Sequence, residues 1–144
     1  MFKAFHTVAD GYFSSYYTML FMADVVGNLR DPKISPLKSL DTASAVHFAV
    51  YDKGKLQKLI LLNTQLAEGN SSRSSIEFNV KSVLGSKIKI QRLTGPNSAA
   101  KTGVSWAGQT VGKDGKIEGS RKVERSSNGI VTLLASEAVV VERR

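Results

Sequence analysis

The chain has 144 residues and carries 20 basic against 12 acidic side chains, a net charge of +8 at neutral pH. This length suits one domain able to bury about two-thirds of its unfolded surface, so a real hydrophobic core is attainable without cross-links. The absence of cysteine excludes disulfides, thiol nucleophiles and cysteine-ligated metal sites, but it identifies no compartment.

Residues 1–11 mix Lys3, His6 and Asp10 into what a secretory signal would keep as an unbroken apolar run, so no signal peptide is read there. The first predicted element is a helix. From Ser14 or Ser15 as N-cap, apolar side chains run through Tyr16, Tyr17, Met19, Leu20, Phe21, Met22, Ala23, Val25 and Val26, and Gly27-Asn28 supplies the stop. Asp24 is its one charged point. A helix apolar on nearly every side requires cover on several sides. The run is too short and too polar at Ser14, Ser15 and Asp24 to span a bilayer. The expectation is a buried helix whose uncovered surface drives self-association through residues 14–27, and whose removal with residues 1–30 leaves a folded remainder.

Residues 31–44, with Pro32 and Pro36, read as a linker. Residues 45–51 and 56–63 follow as two apolar strands around Asp52-Lys53-Gly54-Lys55, a hairpin signal, and their continuous apolar character predicts central strands. Residues 69–75 form a polar turn that contains Asn70-Ser71-Ser72, an N-glycosylation sequon at Asn70 that has meaning only in a secreted protein. Ile76, Phe78 and Val80 then alternate with Glu77, Asn79 and Lys81, as in a one-sided strand. Further strands are expected over residues 87–93, 104–111, 116–124, 130–134 and 138–142, with turns at Lys113-Asp114-Gly115 and Ser127-Asn128-Gly129. Short strands at this spacing predict a mainly β fold, an antiparallel β-sandwich preceded by one apolar α-helix. The organisation is a leading segment over residues 1–30, a linker over 31–44 and the sandwich over 45–144.

Chemistry is sparse. His6 and His47 have no second ligand at metal-site spacing, so neither a metal nor a cofactor is expected. Gly103-Val104-Ser105-Trp106-Ala107 misses the nucleophile-elbow pattern at its last position, and Gly108-Gln109-Thr110-Val111-Gly112-Lys113 is one residue short of a phosphate loop. The basic residues are spread through strands and interleaved with acids: Lys53, Lys55 and Lys58 flank a hairpin, and Arg121, Lys122 and Arg125 alternate with Glu118 and Glu124. That distribution favours a solvated sheet face over a binding patch and weighs against nucleic acid. Trp106 is the single tryptophan. It is read as a core anchor, since an indole buries roughly 150–250 Å² and finds a partner for its N–H; a glycan- or base-stacking platform is the alternative.

Four stretches in order carry a resemblance: residues 16–27, residues 50–63, the Trp106 segment over 92–109, and Ser136-Glu137-Ala138-Val139-Val140-Val141. Over residues 14–142 the chain resembles the C-terminal part of fungal β-glucuronidases of glycoside hydrolase family seventy-nine, the heparanase-like group. The resemblance implies a parent with a (β/α)8 catalytic barrel followed by a β-sandwich, this chain corresponding to the last barrel helix and the sandwich. In that family both catalytic glutamates lie on barrel strands upstream of the matched portion, so no catalytic residue carries over, and Glu137 falls within the sandwich. The resemblance also implies that Tyr16 and Tyr17 match a tyrosine pair near the barrel mouth, where phenol hydroxyls can reach sugar hydroxyls or a uronate, whereas the residues by themselves read as two aromatics anchoring a buried helix. Relatives carry proline before that pair and glycine after it, where this chain has Ser15 and Thr18. The expected function is therefore that of a non-catalytic domain, a truncated or orphaned piece, with a barrel domain or chain as its partner. A carbohydrate- or polyanion-binding module with an acidic glycan as ligand is the alternative. Relatives are largely secreted, which leaves localisation open.

Overall fold

The computed structural model describes residues 14–38, 42–69 and 72–144. Two long strands, β2 (Ala45–Asp52) and β3 (Lys55–Asn63), are apolar on both faces, and that pattern places them inside a sheet covered on two sides. Lys53 and Gly54 both have positive φ, 50° and 75°, which suits a two-residue hairpin turn of the I′ kind. Around this hairpin lies a seven-stranded antiparallel sheet in the order β1-β2-β3-β11-β5-β6, where β1 is Pro32–Pro36, β5 Ile88–Thr94, β6 Ser105–Trp106 and β11 Glu137–Arg143. Strand β9 (Glu124–Ser126) also pairs with β5. The register sets Val139 opposite Leu61 and Val141 opposite Leu59 on one face, with Val140 opposite Ile60 on the other.

Because side chains alternate along a strand, those two sets enter separate cores. On the first face Ala45, Ala49, Leu59, Leu61, Ile88, Ile90, Val139 and Val141 meet a second layer. That layer consists of a two-stranded sheet, β4 (Ser75–Asn79) with β10 (Ile130–Leu134), and a one-turn helix α2 (Lys81–Leu84); it contributes Phe78, Val80, Leu84, Val131 and Leu133. On the opposite face Val50, Ile60, Val140 and Trp106 meet the leading helix α1 (Ser14–Val26) through Tyr17, Phe21 and Val25. The architecture is mainly β, antiparallel, with one apolar helix in front.

Four local features differ from the sequence reading. The segment taken as a linker contains β1, an edge strand whose five residues are all exposed; prolines at both ends limit the backbone donors it offers to further pairing. Residues 104–111 are not one strand. Ala107 and Gly108 take φ of 47° and 76° and fold the chain back so that Trp106 and Gln109 exchange both backbone hydrogen bonds, at 2.9 and 3.0 Å, which separates β6 from β7 (Thr110–Val111). Residues 116–124 are likewise broken: Gly119 at φ 87° ends β8 (Ile117–Glu118), and β9 begins at Glu124 on another sheet. The short helix α2 carries no periodic signal long enough to be foreseen.

Candidate functional site: the helix face of the domain

The helix seats on the sheet by residues one turn apart. Tyr17 and Phe21 are each 5% exposed and Val25 is fully buried, forming one row at i, i+4 and i+8. Phe21 meets the Trp106 ring edge-on, with centroids 4.9 Å apart, and Trp106 is itself 2% exposed. The indole N–H of Trp106 donates to the Asp24 carboxylate, and Arg121 Nη2 donates to the same oxygen, Oδ2, at 2.7 Å. The one charged residue of α1 is thus its polar bond to the sheet. Gln91, in the amide orientation that satisfies both groups, accepts from Arg121 Nε at 2.9 Å.

The last turn of α1 has no basic residue of its own. Lys58 on β3 supplies the charge instead, donating from Nζ to the carbonyl oxygens of Asp24 at 2.7 Å and Val25 at 3.1 Å. A cation at the carbonyl end satisfies orphan acceptors and complements the helix dipole.

The tyrosine pair is divided by the fold. Tyr17 is buried, and its phenol oxygen accepts from the backbone amide of Val111 at 3.0 Å. Tyr16 is half-buried at the edge of the same core, its ring perpendicular to that of Tyr17. On the side of α1 away from the sheet, Met19 is 54% and Met22 36% exposed, and Ala23 is exposed beside them. Together they form an outward apolar face.

A buried carboxylate lies on the other side of the strands. Glu137, 5% exposed, accepts from Thr94 Oγ1 at 2.6 Å on one oxygen and from Arg92 Nη1 at 2.7 Å and the Leu134 amide at 3.0 Å on the other. Arg92 holds Glu124 in a two-bond fork, both bonds at 2.9 Å. The hydrogen bond to Glu124 raises the Arg92 pKa above its ordinary value, against the lowering effect of burial. Arg73 reaches to 4.0 Å of Glu137 and binds the Ala135 carbonyl. With both oxygens engaged by protein groups, Glu137 ties β11 to β5 and presents no open face to a substrate.

His47 stands edge-on to Phe78, with centroids 5.1 Å apart. Among the described residues there is no group of three or more side chains that could hold a metal ion, and no helix is long and apolar enough to cross a membrane. His6 and Asn70 lie outside the described residues.

Residues 47–140 match the family described as the glycosyl hydrolase family 79 C-terminal beta domain. The chain belongs to that family. It is similar to a solved structure from Fusarium oxysporum 12S, a 4-O-alpha-L-rhamnosyl-beta-D-glucuronidase in complex with Rha-GlcA, at 28% sequence identity and a TM-score of 0.76. The likeness covers 88% of this chain but 29% of the solved one, so this chain spans less than a third of that enzyme's length. No curated protein matches the chain. The portion shared with the glucuronidase is this β domain, and family membership agrees with the resemblance read from residues 14–142.

The sequence reading singled out Asp24 as the lone charge of the helix without finding its partners. Lys58 and Arg121 read there as solvated charges, and Arg92 only as the first residue of the Trp106 segment. Asp24 offered a signal, since an acid inside an apolar helix needs a donor; the others offered none, because their partners are remote in the chain.

Proposed function

We propose that this chain acts as the non-catalytic C-terminal β domain of a β-glucuronidase or heparanase-like hydrolase, a truncated or orphaned piece whose parent cleaves glucuronides. The likeness to the solved glucuronidase over most of this chain carries the reading. In such a parent the outward face of α1, with Met19, Met22 and Ala23, packs against a catalytic (β/α)8 barrel and is withdrawn from water, while Lys58, Asp24 and Trp106 hold the helix rigidly to the sheet. The domain then braces the barrel rather than taking part in the chemistry, which needs two carboxyl groups on opposite sides of the scissile bond. Tyr16, the more exposed of the tyrosine pair, is the residue that reaches toward substrate; Tyr17 positions the helix.

The module reading, in which an exposed aromatic and clustered lysines hold an acidic glycan, has less support. Trp106 is in the core, and Arg73, Arg92 and Arg121 are committed to carboxylates or carbonyls.

The test is a domain exchange. Residues 14–144 replace the β domain of the Fusarium enzyme, and hydrolysis of an aryl β-glucuronide is followed. The chimera should stay soluble and turn over, whereas the isolated chain should give no hydrolysis above buffer. Turnover by the isolated chain that is lost on changing one of its own carboxylates would overturn the reading.

A further inference from the structure

The chain holds one Asn-Gly pair, Asn128-Gly129, in the turn between β9 and β10. The fold itself selects both residues. Gly129 has φ of 72°, and a Cβ added there would stand 2.8 Å from Lys81 Cβ and 3.1 Å from the Gly85 carbonyl oxygen, so a side chain would strike α2. Asn128 closes the turn with its own carboxamide: Oδ1 accepts from the Ile130 amide at 2.9 Å and from Ser126 Oγ at 2.6 Å. Asn128 is at the same time exposed to water.

The same contacts favour a reaction. A bond from Oδ1 to the amide two residues on folds the carboxamide back over the Gly129 peptide group, and two donors on that oxygen polarise Cγ and stabilise an oxyanion there. Glycine has no Cβ to obstruct the approach of its nitrogen. We propose that Asn128 is a self-modifying site that converts to aspartate and isoaspartate, and that the isoaspartyl form loosens the smaller layer of the sandwich. The Gly129 nitrogen loses its proton and attacks Asn128 Cγ; the new C–N bond closes a cyclic imide, the Cγ–Nδ2 bond breaks, and ammonia departs with the proton. Water then opens the imide. Addition at the former side-chain carbonyl gives aspartate, and addition at the main-chain carbonyl gives isoaspartate, in which the chain runs through Cβ and Cγ. Aspartate keeps the oxygen that accepts from Ile130, so the turn survives. Isoaspartate lengthens the main chain just ahead of Gly129, whose carbonyl oxygen accepts from the Val80 amide at 2.9 Å. Val80 is buried between the end of β4 and the start of α2, so the displaced bond is the one that joins the turn to both.

The experiment ages the 144-residue chain in mildly alkaline buffer and maps it by trypsin and mass spectrometry. Asn128 is the single asparagine of the tryptic fragment 126–143, so a gain of acid there is assigned without ambiguity, and an isoaspartate-specific methyltransferase reports the isomer. Conversion at Asn128 should run at least about tenfold ahead of Asn97, which precedes serine, a barrier difference of about 1.4 kcal/mol. It should quicken as pH rises, because the attacking nitrogen must lose a proton. In the isoaspartyl fraction the Val80 amide should exchange about tenfold or more faster than in fresh protein. Asn128→Asp, which adds the charge and keeps the main chain, should exchange there like fresh protein. Retention of the amide in the aged chain, conversion no faster than at Asn97, unchanged Val80 exchange in the isoaspartyl fraction, or equal quickening in Asn128→Asp overturns the proposal.

Discussion

Trp106 and Asp24 lie 82 positions apart in the chain and meet through one hydrogen bond, indole N–H to carboxylate, at the seam of helix and sheet. The bond places the single charge of an apolar helix against the donor of a buried ring, with Arg121 as a second donor. Replacing Trp106 by Ala should cost about 3–5 kcal/mol, the usual loss for a buried large aromatic. Asp24→Ala should cost about 1–3 kcal/mol by leaving the indole N–H without its acceptor. Urea unfolding measures both, and wild-type emission should be blue-shifted and poorly quenched by acrylamide. A ready quench with a small loss would contradict the packing described.

Lys58 tests the helix terminus separately. Lys58→Met keeps the apolar stem and removes two hydrogen bonds to the last carbonyls of α1, with an expected loss of up to about 2 kcal/mol. Amide exchange at Gly27 and Leu29, whose N–H groups bond to Ala23 and Val26, should quicken before the sheet responds.

The outward face predicts association without instability. Met19→Lys with Met22→Glu should lower any self-association of the chain, read by sedimentation velocity, and leave its melting temperature within a degree or two, because neither side chain is buried. Removing residues 1–30 should act differently: it uncovers Val50, Ile60 and Val140, so the remainder should lose cooperative unfolding. This departs from the expectation of a separable helix. A folded, soluble truncation would restore it.

Glu137 on β11 is tied to β5 by hydrogen bonds from Arg92 and Thr94. Glu137→Ala should cost about 3 kcal/mol, the lower end for breaking a buried pair, because Glu124 remains on the guanidinium. The raised Arg92 pKa means that its contribution is complete below the ordinary arginine value and is lost only as pH rises through the still higher folded value. Arg92 should therefore add no pH dependence to stability between pH 5 and 9, which melting at several pH values checks. The lowered pKa of Asp114, caused first by its hydrogen bond with Lys116, belongs to a fully exposed group. Asp114→Asn should leave the melting temperature unchanged even at pH 3.

What the sequence alone determined is what local periodicity reports. Mainly apolar runs over 45–51 and 56–63 required a sheet covered on both faces, Lys53-Gly54 required a tight hairpin, and an α1 apolar on nearly every side required neighbours. Gly108 and Gly119 were visible, but their effect was not: each φ is positive because the chain reverses or changes sheets there, and only the packing of β6, β7 and β9 demands it. The tertiary structure decided the pairings. Glu137 meets Arg92 and Thr94 across 45 and 43 positions, and Arg121 meets Asp24 across 97. It also separated Tyr16 from Tyr17, since adjacent helical residues point about 100° apart and the direction of the sheet selects which is buried. Strand order and register set these choices, and neither is written in the period of any single segment, because a polar side chain at a given position takes whichever partner the neighbouring strand brings opposite it.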